Sequence, residues 1–270
     1  MILIENEIVF VSIPKCASIS VHFALEKTNL KIEPTFRTEH YDVGNGLNVP
    51  DFINGDSFSK IKKHGHQSIA QIYRFLNYKV DTIAIKRDYF KRFLSSFYYV
   101  IGWWIPMVYK MDYIPNKITN DFIYKYFTDE VISMIMQSCY DNSRSFEFHS
   151  KMKELLIKPL IQNFIVGYDN ENTKSKLELM LSNDSTYISY EILASQECWK
   201  SGYKPTYEFN IHELFKLEDF IFERYGQKLN IGQNNETNYK NIPINIFEDQ
   251  KLKDWVWNKF EKQYHIKKIF

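Results

Sequence analysis

Residues 7–27, EIVFVSIPKCASISVHFALEK, constrain the fold of this chain more than any other stretch. Ile8 to Ser12 reads as a buried strand, and Val21, Ala24, Leu25 and Thr28 recur at helical spacing, so a helix should begin between Ser18 and Ser20. Between them lies a tight loop holding Pro14 and Lys15. A strand, a tight loop and a helix in that order aim the free N–H groups of the helix start, and the positive end of its dipole, into the loop. The Lys15 ammonium and the hydroxyls of Ser18 and Ser20 complete a site for a phosphate or sulfate group. Nucleotide binding is the first expectation.

An ordinary NTP-binding P-loop needs Gly-Lys followed by Ser or Thr after a glycine-rich turn. The chain has 9 glycines, and none is followed by lysine. A G-x-G-x-x-G dinucleotide fingerprint is also absent. A phosphotransferase that pairs a Walker lysine with a Mg²⁺-binding carboxylate is therefore disfavoured. What remains is a lysine loop of another kind. IPKCASIS, residues 13–20, resembles the 5′-phosphosulfate loop of sulfotransferases that use 3′-phosphoadenosine 5′-phosphosulfate (PAPS), nearest to the Golgi-type carbohydrate branch. The resemblance implies that Lys15, Cys16, Ala17, Ser18, Ile19 and Ser20 contact the donor. It treats Cys16 as a loop residue without covalent chemistry. Ile19 departs from the pattern, standing where the family usually has threonine, so one hydroxyl donor is missing.

A second strand-to-helix passage, DTIAIKRDYFKRFLSSFYYVIG, runs over residues 81–102. Thr82 to Lys86 predicts an apolar strand, Asp88 a helix N-cap, and Phe90, Phe93, Leu94, Phe97 and Ile101 an apolar helical stripe. On the plain reading Arg87 and Arg92 are solvated charges beside a core helix. The spacing of Arg87 and Ser95 also resembles the family's 3′-phosphate motif, an arginine at a strand end with a serine eight residues on. A guanidinium there can hold a phosphate through a forked pair of charge-assisted hydrogen bonds. Asp88-Tyr89 replaces the family's Asp-Pro, which removes a helix-starting proline but no ligand.

The segment KKHGHQSIAQIYRFL places His64 and His66 just ahead of a helix marked by Ile69, Ile72, Tyr73 and Leu76. Two histidines at i, i+2 can be half of a metal site, but no Cys/His cluster of ligand spacing completes it. They can also be polar loop residues. The favoured reading is a general base, because a helix start disfavours imidazolium and leaves a neutral ring to accept a proton near pH 7. HGH is similar to the catalytic histidine motif of uronyl 2-O-sulfotransferase-like enzymes. His66 is then the base, and His64 its partner or a contact to the acceptor.

Later blocks speak to architecture. NFIVGYDNENTKSKLELML predicts a strand over Phe164 to Val166 and a helix carrying Thr173, Leu177 and Leu181; it is similar to the family passage in which a late strand ends in Gly-x-x-Glu, with Asp169 or Glu171 standing in for the acidic residue. ITNDFIYKYFTDEVISMIMQSCY predicts helix with Ile123, Phe127, Val131, Ile132 and Ile135 near one face. Leu252, Trp255, Val256, Phe260 and Tyr264 predict an amphipathic C-terminal helix.

With 270 residues, 44% of them hydrophobic and 25% charged, and no linker or repeat, the chain reads as one domain over residues 1–270. A net charge of +1 gives no reason to expect nucleic acid or an anionic membrane as partner. Cys16, Cys139 and Cys198 show no disulfide rhythm. The longest apolar run, FYYVIGWWIPMVY, is too short to span a bilayer and contains Pro106. No charged-then-apolar leader precedes the first strand, so a cytoplasmic location is expected. The expected fold is α/β: a three-layer, P-loop-like arrangement with a central parallel sheet flanked by helices. The resemblance implies PAPS as donor, PAP as product and a carbohydrate hydroxyl as acceptor. A relative that binds PAPS or PAP without turnover is the alternative.

Overall fold

The structure, a computed structural model, describes residues 2–34, 66–76, 78–104, 119–137, 146–164, 171–182, 190–232 and 249–262. The chain forms two compact units, one from Met1–Arg92 with Gln196–Thr237 and one from Phe93–Ser195 with Asn238–Phe270.

Among the described residues the first unit holds a mixed sheet of five strands: β1 (Ile2–Ile4), β2 (Ile8–Val11), β3 (Ile32–Pro34), β4 (Asp81–Lys86) and β5 (Tyr207–Asn210). Their spatial order is β3-β1-β2-β4-β5. The sheet is not parallel throughout. β1 runs antiparallel to both β2 and β3, whereas β2, β4 and β5 run parallel. The antiparallel edge follows from a tight reversal at Glu5 and Asn6, whose φ values of 50° and 58° suit a hairpin turn. Glu7 N–H closes that turn on the Ile4 carbonyl at 2.9 Å. β2 is buried along its whole length, as are Thr82 to Ile85 of β4. Such unbroken burial is what a central parallel strand requires, and it is why these two strands are legible as apolar runs.

The helices of this unit are α1 (Ser18–Leu25), α2 (Ile69–Leu76), α3 (Tyr89–Tyr99), α4 (Gln196–Lys200) and α5 (Leu214–Tyr225). α3 begins in the first unit and its stretch from Phe93 onward belongs to the second. α1 starts at Ser18, inside the expected window, and α2 and α3 also lie where the sequence puts them.

The second unit is helical in its described parts. The stretch expected to be helix forms two, Asn120–Tyr126 and Asp129–Gln137, with Phe127 and Thr128 between them. Thr128 explains the break: its hydroxyl accepts the Val131 N–H at 3.3 Å, capping the second helix. Ile123, Phe127, Val131, Ile132 and Ile135 are all buried, as their spacing implies. The Phe127 ring lies 6.5, 5.8 and 6.3 Å from those of Phe93, Phe97 and Phe260, forming an aromatic core. Phe260 belongs to the π-helical turn Trp257–Glu261 that extends the C-terminal helix Gln250–Val256. Phe164 is not the start of a strand: it closes the helix Lys158–Phe164, while Ile165, Val166 and Asp169 lie outside the described residues. Glu171 opens the expected helix, which runs to Ser182, and is exposed. Among the described residues no helix is long and apolar enough to cross a membrane.

Phe127→Ala should cost about 3–5 kcal/mol of stability, since it empties a ring-sized space in a packed core. Urea denaturation of the variant measures this. A loss below about 1 kcal/mol would mean that the ring is not packed as described.

Candidate functional site

The parallel register pairs Val11, the last residue of β2, with Ala84, two residues before the end of β4. Their C-terminal ends deliver two loops to one place, the position where open parallel sheets bind ligands. One is the turn from Ser12 to Ala17. The other starts at Arg87, just past the end of β4. The two are joined directly, as Arg87 Nη1 donates to the Lys15 carbonyl at 3.1 Å. The first two sequence motifs thus meet.

The loop's backbone has an unusual shape. Lys15 and Ala17 adopt left-handed conformations, with φ of 61° and 57°, while Cys16 between them does not. For residues with a Cβ this costs on the order of 1 kcal/mol each. Backbone of this alternating kind shapes a nest of the sort that holds anions; within it the Cys16 N–H is taken by the Ile13 carbonyl at 3.3 Å. Ala17 is also the N-cap of α1 and gives it no side-chain cap. The first N–H groups of that helix therefore extend the nest. Ser18 and Ser20 are buried at the helix start, while Ile19 is 43% exposed and sets an apolar side chain where a hydroxyl was sought.

Cations surround this nest. Lys15 is half-buried, and burial together with the Arg87 and Arg92 charges pulls its ammonium down to about 8. Arg92 is not a solvated charge; only 1% of it is exposed. It donates a hydrogen bond to the Cys16 sulfur. Burial nevertheless pushes the Cys16 thiol up, despite the opposing pull of Arg92, Arg87 and Lys200. Cys16 is thus a neutral, buried group of the loop.

His66 comes to the same turn from the start of α2. Its Nδ1 lies 2.6 Å from the Ser12 carbonyl. A carbonyl only accepts, so Nδ1 carries the proton and Nε2 keeps its lone pair. Burial, aided by the charges of Lys15 and Arg92, pulls the imidazole down to about 4, outweighing the opposite effect of the Ser12 bond. The ring is neutral at pH 7 and oriented as a proton acceptor. The buried Trp199 stands edge-on to it, with ring centres 5.9 Å apart and planes at 62°.

The structure thus brings Lys15, Cys16, Ala17, Ser18, Ile19, Ser20, His66 and Arg87 into one neighbourhood. Ser95 is half-buried on α3, in the stretch that belongs to the second unit. His64 lies outside the described residues. Among the described residues no three His, Cys, Asp or Glu side chains converge to hold a metal.

Sequence reasoning missed α4. Gln196 grips the Arg87 backbone at both ends: its Oε1 accepts the Arg87 N–H at 3.2 Å, and its Nε2 donates to the Arg87 carbonyl at 3.0 Å. Lys200 is buried and ion-paired with Glu197 at 2.9 Å and Glu208 at 2.5 Å. Burial lowers its affinity for the proton, yet the Glu208 and Glu197 bonds prevail and hold it charged. A five-residue helix has too few positions to show a period, so no signal in the sequence marks these side chains. Comparison with protein-family models, with curated proteins and with solved structures finds no match to this chain.

The His66 environment has a consequence for stability. A folded value near 4, below the ordinary 6.5, means that the unfolded chain binds the proton more readily. The stabilising contribution is complete above pH 6.5 and is lost as the pH falls toward 4. Urea melts at a series of pH values should show a steeper loss for the wild type than for His66→Gln across that window. Parallel curves would mean that the fold does not hold the ring neutral.

Proposed function

We propose that this chain is a PAPS-dependent sulfotransferase, built on a three-layer P-loop-like α/β domain, that moves a sulfuryl group to a carbohydrate hydroxyl. The convergence of Lys15, Arg87 and a neutral, Nε2-open His66 at the adjoining ends of β2 and β4 carries the reading. It supplies the three things this transfer needs: a seat for the phosphosulfate, a cation for the second phosphate, and a base.

In this reading the 5′-phosphosulfate rests in the nest from Lys15 to Ser20 and against the start of α1. Arg87 takes the 3′-phosphate. His66 Nε2 accepts the proton of the acceptor hydroxyl as that oxygen bonds to sulfur. The bond from sulfur to the bridging phosphate oxygen breaks, and PAP leaves with that electron pair. Lys15 stabilises the charge growing on the departing oxygen, the kind of electrostatic effect that dominates many such reactions. An imidazole near 4 is a weak base, but the negative charges of a bound donor oppose the Lys15 and Arg92 fields and raise it. The donor thereby activates the base that uses it. One observation favours a second reading, binding without turnover: the exposed Ile19 at the mouth of the nest offers the donor no hydroxyl.

Calorimetry tests donor recognition. PAP should bind more tightly than 5′-AMP, by about 1.5–3 kcal/mol for each lost charge-assisted bond, and Arg87→Ala should erase the difference. Equal affinity of the wild type for both nucleotides would remove Arg87 from the phosphate site.

Kinetics test the base. His66→Ala should lower kcat by about 10²–10⁴-fold with PAP affinity nearly intact. In the wild type the acidic limb of kcat/KM should fall near pH 4, where free His66 titrates, and that of kcat at higher pH, where the donor is bound. Coincident limbs would show that the donor does not raise the imidazole.

A further inference from the structure

His66 does not choose its own tautomer; the Ser12 carbonyl chooses it, and something must hold that carbonyl in place. Ser12 is fully buried one residue past the end of β2. The Ile13 N–H donates to the Val11 carbonyl at 2.9 Å, closing a three-residue turn centred on Ser12. In such a turn the flanking residues bond to each other, and the central carbonyl is left to point elsewhere. Here it points at His66 Nδ1, 2.6 Å away. The Ser12 side chain is engaged on another partner. Its Oγ lies 2.6 Å from Nε2 of His22, a residue of α1 that is also fully buried. The His22 ring is in turn set edge-on against Phe10 of β2, with centres 5.6 Å apart and planes at 72°. One residue thus ties the helix that begins the anion nest to the histidine beside it.

We propose that Ser12 and His22 are positioning residues for His66: the bond between them fixes the turn at the end of β2, and the turn presents the carbonyl that keeps the His66 proton on Nδ1. The proposal builds on the reading of His66 as the base, but its structural content stands apart from any reaction. Without the Ser12–His22 bond the turn loses its side-chain anchor and the carbonyl is free to swing. The imidazole proton then divides between its two nitrogens, and the share on Nε2 is unable to accept a proton from an acceptor. A misplacement of this kind ordinarily costs about ten-fold or more in rate. A histidine buried only for packing would have no such effect on a neighbour it does not touch.

The test is ¹⁵N NMR of the histidine rings in the full chain at pH 7, with the His66 signals identified by their loss in His66→Gln. The wild type should show His66 protonated on Nδ1 and bare on Nε2. Ser12→Ala and His22→Leu should each move it toward a mixture of tautomers. His22→Gln, whose amide can reach the Ser12 hydroxyl, should restore the wild-type pattern. In sulfate-transfer assays the first two variants should lower kcat about ten-fold or more while KM for PAPS stays within about two-fold. Should His22→Leu fail to fold, Ser12→Ala, which removes a single oxygen, decides the matter. An unchanged His66 tautomer in a folded Ser12→Ala protein overturns the proposal. A shifted tautomer in a protein that transfers no sulfate in any form upholds the positioning role and overturns the sulfotransferase reading instead.

Discussion

The parallel pairing of β2 with β4 is the constraint on which the candidate site depends. Val11 faces Ala84 across that pair, so the chain leaves both strands at nearly the same level and in the same direction. The turn after β2 and the arginine after β4 therefore have little room to be anywhere but beside each other. The Arg87 bond to the Lys15 carbonyl records that meeting, and Gln196 clamps the Arg87 backbone from the other side. A slip of one residue in the register would invert the faces of every side chain in β4 and carry Arg87 away from the loop. The apolar residues of both strands oppose such a slip, because they are buried along their shared length.

Electrostatics give the site its character. Lys15, Arg87 and Arg92 share one small region, and burial, together with the two guanidinium charges, makes the ammonium give up its proton more easily than usual. The left-handed backbone at Lys15 and Ala17 adds conformational cost in the same few residues. Concentrated positive charge and left-handed backbone both carry a cost, and such costs cluster at functional sites. His66 lies in the same region, where burial, aided by the Lys15 and Arg92 charges, keeps its imidazole neutral.

Aromatic packing holds the described core of the second unit together. Phe93, Phe97, Phe127 and Phe260 form one cluster, and Trp255 lies 5.9 Å from Phe260 at its edge. Rings of this size bury large areas with few rotatable bonds, which suits a helical unit assembled from short segments.

The sequence alone determined β2, β4 and helices α1, α2 and α3, because each is long enough, or apolar enough, to show its period or its burial. It also placed Lys15 and Arg87 just past strand ends and His66 at a helix start, since those positions are local. Strands β1, β3 and β5, three or four residues each, carry no such pattern, and the mixed sense of the sheet went unread with them. Phe164 read as strand because a short apolar run looks alike in a strand and in the last turn of a helix. Tertiary structure alone decided the rest. Arg92 lies off the apolar stripe of α3 and so looked solvated; it is buried and bonded to Cys16. Gln196 and Trp199 reach a site more than 100 residues away in sequence, at the distance of a hydrogen bond from Arg87 and in ring contact with His66. Periodicity reports which face of an element is covered, but it does not report what covers it, and the chemistry of this site is set by what covers it.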